Sequence, residues 1–486
     1  MTARAASPLA LLTVAFTLAA GPALAQADRS GPPAPGPARP LTVPRIERLA
    51  LSNGVPVLLV GMHEVPVVEV VLVLATGAAA DPVGQEGLAH MTAEMLDEGA
   101  GGRDALALAD AVDFLGAQIE TGSWWDASTV RLRVPVARLA DALPLMADVA
   151  LRPDFAGQEL ERLRQEALTR LLQARDQPRS IASRALAEAV FTRESRFGRP
   201  QTGDAASLAA LTVADLRTFH GSRYTPVDAT LVMVGDVPAG VLPALEKAFG
   251  GWAAPQDTVP APEVGLPRQV KGRSVRLVDK PGAAQSAIRL GRVGPSWDDP
   301  RYHAGEVMNT LLGGSFTSRL NDNLREQHGY TYGAGSALRR YRVGGFFLAA
   351  ADVQTDKTAE AVTEFLKELE RIRTPATPEE VQRARSYTAL GYAAEFETTS
   401  QVARRIVEKV VYDLADGFFE EYVSKTLAVD VAALQAAAGA TVDPEEIVLV
   451  VVGDRSKVEA PLRALELGTV EVLTVDDVMG PAPKTK

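Results

Sequence analysis

One phrase occurs twice in the chain: Thr230-Leu-Val-Met-Val-Gly-Asp236 and Val448-Leu-Val-Val-Val-Gly-Asp454. Each is an apolar run rich in β-branched residues and closed by Gly-Asp, the pattern of a buried strand ending at a turn. Each also follows a helical stretch and a Pro-containing turn, so the repeat constrains the chain to two similar units. Short β-branched strands open both units, at 55–60 and 69–76 in the first and at 274–278 and 286–291 in the second. A helix, a further strand pair and several helices follow in each. Strand-rich and helix-rich stretches segregate, which favours two-layer α+β halves over a doubly wound arrangement, and no Gly-rich dinucleotide fingerprint follows a first strand.

The 486 residues are too many for one ordinary core. The two halves are expected at 45–252 and 270–478, with a Pro-rich linker at 253–269 and a short tail at 479–486. At the N-terminus, Arg4 leads into an apolar stretch and then Ala23-Leu24-Ala25, a small-x-small cleavage pattern. Residues 1–25 are therefore expected to be a removed signal peptide and 26–44 a Pro-rich tether, placing the mature protein in the periplasm. Loss of Arg4 would take the formal charge from −11 to −12. An acidic chain disfavours nucleic acid and anionic membrane surfaces and favours peptides or another protein as partners. With no cysteine, neither disulfides nor thiolate metal sites are available.

Residues 75–99 read ATGAAADPVGQEGLAHMTAEMLDEG. A strand runs into a loop carrying Asp81-Pro82 and Glu86-Gly87, and a helix begins at Gly87-Leu88-Ala89-His90. Leu88, Met91 and Met95 share one helical face, leaving His90, Glu94 and Asp97 toward the other. This segment resembles the pitrilysin (insulinase-like) metallopeptidases, whose active members read Gly-Leu-Ala-His-x-x-Glu-His-Met-Leu here. In that inverted zinc motif two histidines bind the metal and the glutamate polarises its water. Here Ala93 stands at the position of the base and Glu94 at that of the second histidine. The family's third ligand is a glutamate shortly before Asp-x-Pro, and anchoring on Asp176-Gln177-Pro178 puts Arg170 there. The resemblance therefore implies no zinc in this chain, with His90 a vestige. The competing expectation is a rebuilt site on His90 and Glu94, which are correctly spaced at i and i+4, with Glu166 as the nearest replacement carboxylate.

Residues 311–335, LLGGSFTSRLNDNLREQHGYTYGAG, give a Gly-rich loop, an amphipathic helix, a turn and a strand. They are similar to the second-half signature of the same family. On that match Arg325 and Tyr332 take the places of its arginine–tyrosine pair, which donates to the oxyanion and flanking carbonyls during peptide hydrolysis. In the processing-peptidase branch the non-catalytic subunit's Gly-rich loop contacts substrate, which makes Gly313, Gly314, Ser315 and Phe316 candidate substrate-binding residues. The plainer expectation for the two glycines is a tight turn at positive φ. No Gly-Lys-Ser/Thr follows, so a phosphate loop is excluded.

The resemblance implies the LuxS/processing-peptidase-like metallohydrolase fold and a zinc-less subunit of a heteromeric metalloendopeptidase, its zinc carried by a homologous partner. Two other expectations stand beside it: a structural or binding pseudo-peptidase without proteolysis, and an autonomous hydrolase with an altered metal site.

Overall fold

The structure is a computed structural model that describes residues 43–254, 264–265, 267–269 and 271–483. The expected signal peptide, nearly all of the tether, most of the linker and the end of the tail lie outside these residues.

The first half supplies strands β1 (Ile46–Ala50), β2 (Pro56–Gly61), β3 (Val67–Leu74), a small hairpin β4 (Gly99–Ala100) and β5 (Arg103–Asp104), then β6 (Gln118–Ser123), β7 (Ser128–Pro135) and β8 (Ala229–Gly235). The second supplies β9 (Ser274–Asp279), β10 (Gln285–Gly294), β11 (Thr331–Arg340), β12 (Gly345–Gln354), β13 (Val448–Gly453) and β14 (Val470–Leu473). The repeated phrase forms β8 and β13. Two six-stranded sheets result, in the orders β1-β2-β8-β3-β7-β6 and β11-β12-β10-β13-β9-β14.

Laid side by side, the two sheets share one topology. β8 lies parallel to β2 and antiparallel to β3, and β13 lies parallel to β9 and antiparallel to β10. The remaining pairs, β3–β7–β6 and β10–β12–β11, are antiparallel in both. Only the outer strand differs. β1 adds antiparallel from before β2, whereas β14 adds parallel from near the end of the chain.

Both central strands are apolar throughout because both their faces are covered. Along β8, Leu231 and Met233 face a core shared with the first half's own helices, while Val232 and Val234 face a second core. Along β13, Leu449 and Val451 face the second half's helices, and Val448, Val450 and Val452 the opposite side.

Those second cores are built by exchange. The helix Pro178–Phe191, from the first half, brings Ile181, Ala185, Leu186 and Val190 onto the second sheet against Val278, Val448, Val450 and Val452. The helix Thr399–Tyr412, from the second half, brings Val402, Ile406, Val407 and Val411 onto the first sheet against Val60, Val71, Val73 and Val232. Local signals start both helices: Pro178 sits in the first turn of one, and Thr398 with Gln401 forms a capping box on the other. Polar contacts fix where they land. Ser400 Oγ donates to Glu69 Oε2 at 2.6 Å, and Lys280 Nζ donates to Asp176 Oδ1 at 3.1 Å. With large aliphatic side chains worth about 1.5–3 kcal/mol each when buried, the exchanged helices join the halves strongly. The described residues accordingly belong to one compact unit, and the blocks 45–252 and 270–478 mark the duplication of the chain rather than two separate bodies.

Candidate functional site

The helix Leu88–Glu94 starts at Gly87, whose φ is 90° and whose Cα lies so close to Thr202 O that an added Cβ would sit 2.7 Å from it. Only glycine suits both conditions. The buried Asp81 carboxylate caps the helix, accepting from Gly87 N at 2.9 Å and Ala89 N at 2.8 Å. Arg196 Nη2 donates to the same carboxylate at 2.7 Å, and Arg199 Nη1 to Glu86 Oε1 at 2.6 Å. Burial pushes the Asp81 carboxyl up to about 6, against the pull of Arg196 and the two amides. Arg196 and Arg199 thus buttress this loop, and their remote sequence position gave no sign of it.

Leu88, Met91 and Met95 are buried as their spacing predicts, and Ala93 is fully buried as well. The structure brings His90, Glu94 and Arg170 together. His90 Nε2 lies 3.4 Å from Glu94 Oε1, and Arg170 Nη2, from the helix Gly157–Ala174, lies 3.1 and 3.2 Å from the two Glu94 oxygens. Burial alone would raise the Glu94 carboxyl, but His90 and Arg170 together hold it below its ordinary value.

These donors do not fit zinc. A metal at Glu94 would have to compete with a guanidinium already held by both of its oxygens, and Ala93 offers no base. Glu166, the nearest replacement considered from sequence, accepts from Arg162 Nη1 at 2.7 Å, and the same arginine pairs with Glu98 and Glu159. Asp97 is pushed up to about 6 by burial, with Glu98 and Glu94 adding to the shift. Among the described residues no group of three His, Asp or Glu side chains converges to hold a metal.

In the second half the helix Tyr302–Asn309 continues into a wide turn, Thr310–Gly314. Neither Gly313 nor Gly314 has positive φ, so the tight-turn expectation is corrected. Gly313 is required by close approach, since a Cβ there would lie 2.1 Å from Ser336 N on β11. Ser315 Oγ donates to Thr310 O at 3.2 Å. Asn321 ties the loop to the strand, donating to Phe316 O at 2.7 Å and accepting from Ala334 N at 3.2 Å. The Phe316 ring is 66% exposed, and the Arg325 guanidinium lies over it, 4.4 Å from its centroid. This pairing of two candidate residues was not foreseen.

Tyr332 is 93% exposed at a register shift between Thr331 and Ala334 of β11. No hydrogen bond joins it to Arg325 among the described residues. It lines a cavity of about 250 Å³ together with Arg179, Arg289 and Asp352. Arg179 belongs to the exchanged helix Pro178–Phe191, so both halves of the chain contribute to the surroundings of Tyr332. The His90–Glu94–Arg170 cluster takes no part in lining this cavity.

Comparison with known proteins agrees with this anatomy. Residues 57–201 match the family described as Insulinase (Peptidase family M16), and residues 210–387 match Peptidase M16 inactive domain. The chain belongs to the M16 peptidase family. It is 24% identical over 403 residues to an uncharacterized zinc protease of Rickettsia bellii, covering 82% of this chain and 90% of that one. It is 28% identical over 314 residues to an uncharacterized zinc protease of Mycobacterium tuberculosis, covering 64% and 71%. Among solved structures, a peptidase M16 inactive domain from Pseudomonas fluorescens superposes with a TM-score of 0.78 at 24% identity, covering 84% of this chain and 98% of that one. A protease from Helicobacter pylori gives 0.76 at 21% identity, covering 84% and 100%. The mixed α/β fold with two sheet-containing halves is therefore that of M16 peptidases.

Proposed function

We propose that this chain is the zinc-less subunit of a heteromeric zinc metalloendopeptidase, exported to the periplasm and working with a homologous partner that carries the metal. Its own contribution is Arg325 and Tyr332, which bind peptide carbonyls and donate to the charge that develops on the scissile one. The observation that carries this is the 93% exposure of Tyr332, a phenol held at the surface beside a cavity and without a hydrogen-bond partner among the described residues. Support comes also from the first half, where Arg170 answers Glu94 in place of a metal. Gly313, Gly314, Ser315 and Phe316 place the Arg325 guanidinium, and the Phe316 ring offers an apolar contact to substrate.

The purified chain alone is expected to take up no stoichiometric zinc by elemental analysis and to cleave no peptide. In the complex with its partner, Tyr332→Phe lowers kcat about tenfold to a thousandfold with a smaller change in KM, the size of effect expected for one lost transition-state donor. Full turnover by an assembled Tyr332→Phe complex would instead make the chain a structural or binding pseudo-peptidase.

A further inference from the structure

The cavity beside Tyr332 holds more positive charge than it uses. Arg289 lies on the central strand β10 with its side chain only 9% exposed. Its Nη1 donates to Ile288 O at 2.8 Å, Asp352 Oδ1 at 3.1 Å and Ala351 O at 3.2 Å. Its Nε and Nη2 have no partner among the described residues, and neither is among the buried nitrogens sealed off without one. They form the guanidinium edge that accepts a carboxylate side-on. Arg179 pairs with Asp352 through Nε, and its side chain is 76% exposed, leaving its terminal nitrogens available. Two guanidinium groups and one carboxylate therefore line the cavity, a formal excess of one positive charge, with Gln285 and the Gly333 backbone completing its polar wall.

An arginine in the middle of a central strand is costly unless its charge is answered, and the single negative charge of Asp352 is shared between Arg289 and Arg179. The space of about 250 Å³ is too small for a folded element and large enough for a single side chain or chain end. We infer that this cavity is a carboxylate-binding subsite, formed by Arg289 and Arg179, that selects peptides presenting a carboxylate next to the bond held at Tyr332. The carboxylate is either an Asp or Glu side chain or the peptide's own C-terminus. Its consequence for cleavage rests on the proposed role of Tyr332, but binding of the carboxylate does not.

The test uses the full mature chain without its partner and reads fluorescence anisotropy of end-labelled, unstructured hexapeptides. One pair differs by Glu against Gln at a single position and another by a C-terminal acid against its amide. The acid form is expected to bind about tenfold to a hundredfold more tightly in at least one pair, as for hydrogen bonds to a charged group, and the pair showing it identifies the source. The preference shrinks as salt is raised. Arg179→Gln, at an exposed position where folding is safe, reduces it several-fold, and Arg289→Lys brings it close to parity. Tyr332→Phe leaves the ratio unchanged while lowering turnover of the assembled complex, which separates failure of the subsite from failure of the proposed function. Equal binding of acid and neutral forms in both pairs would overturn the proposal, as would a preference untouched by Arg179→Gln and Arg289→Lys.

Discussion

The helix Leu88–Glu94 follows β3 in one half, and the helix Tyr302–Asn309 with its wide turn follows β10 in the other. They occupy equivalent places in a duplicated topology, yet their polar groups are treated in opposite ways. In the first half four carboxylates are answered by cations from within, Asp81 by Arg196, Glu86 by Arg199, Glu94 by His90 and Arg170, and Glu98 by Arg162, while Asp97 has only the Thr121 hydroxyl and is raised by burial instead. In the second half Phe316 and Tyr332 stand exposed, and among the described residues the Arg325 guanidinium has only an aromatic face and a 3.5 Å contact to its neighbour Glu326. The first-half cluster closes most of its own ion pairs, as expected where unanswered buried charge is costly. The groups proposed to meet substrate are the ones left largely unanswered among the described residues.

The largest expected effect concerns whether the halves can be compared as separate bodies at all. Leu186→Ala and Ile406→Ala each remove a fully covered side chain from an exchanged helix, and each should cost about 2–5 kcal/mol. Because the helices cross between sheets, denaturant unfolding should remain a single transition in both variants. Two resolved transitions, with only one displaced by each substitution, would show that the halves fold independently.

Asp97 sharpens the comparison at a smaller scale. Its carboxyl is raised to about 6 in the folded chain, so it binds its proton more tightly folded than unfolded. Its contribution to stability is most favourable below the unfolded value and is lost as pH rises through about 6. Asp97→Asn should therefore stabilise the protein by about 1 kcal/mol at pH 7.5, after discounting for partial exposure, with the gain gone by pH 4. A melting temperature that gains equally at both pH values would contradict burial as the cause.

The smallest effect belongs to His90. If Arg170 suffices to hold Glu94, His90→Ala changes turnover of the assembled complex less than twofold and stability by no more than about 0.5 kcal/mol. A large loss of turnover would return a working role to the first half and erase the contrast between the two regions.

Much of this was legible in the sequence because the signals are contiguous. The Thr230–Asp236 and Val448–Asp454 phrases become β8 and β13, and strands expected at 274–278 and 286–291 appear at Ser274–Asp279 and Gln285–Gly294. The proximity of Arg170 to Glu94 followed from a single anchor, Asp176-Gln177-Pro178. What stayed hidden is non-local. The apolar stripe of Ile181, Leu186 and Val190 announces a buried helix without naming the sheet it covers. Nothing near Asp81 in sequence points to Arg196. The spacing of Gly313 and Gly314 suits a positive-φ turn and a close strand contact equally, and only the position of Ser336 decides between them.

The exchange of helices also bears on how the polypeptide is made. When a ribosome has released only the first half, Ile181, Leu186, Val190 and Phe191 already exist, but β9, β10 and β13, which they cover, do not. The first sheet meanwhile lacks Val402, Ile406 and Val407 over Val71 and Val232. A nascent or truncated chain therefore carries two sticky apolar surfaces that only the last third of translation can cover. Under the export proposed above, such an exchanged fold would suit a route that delivers the chain unfolded and lets it close once the residues of β13 have arrived.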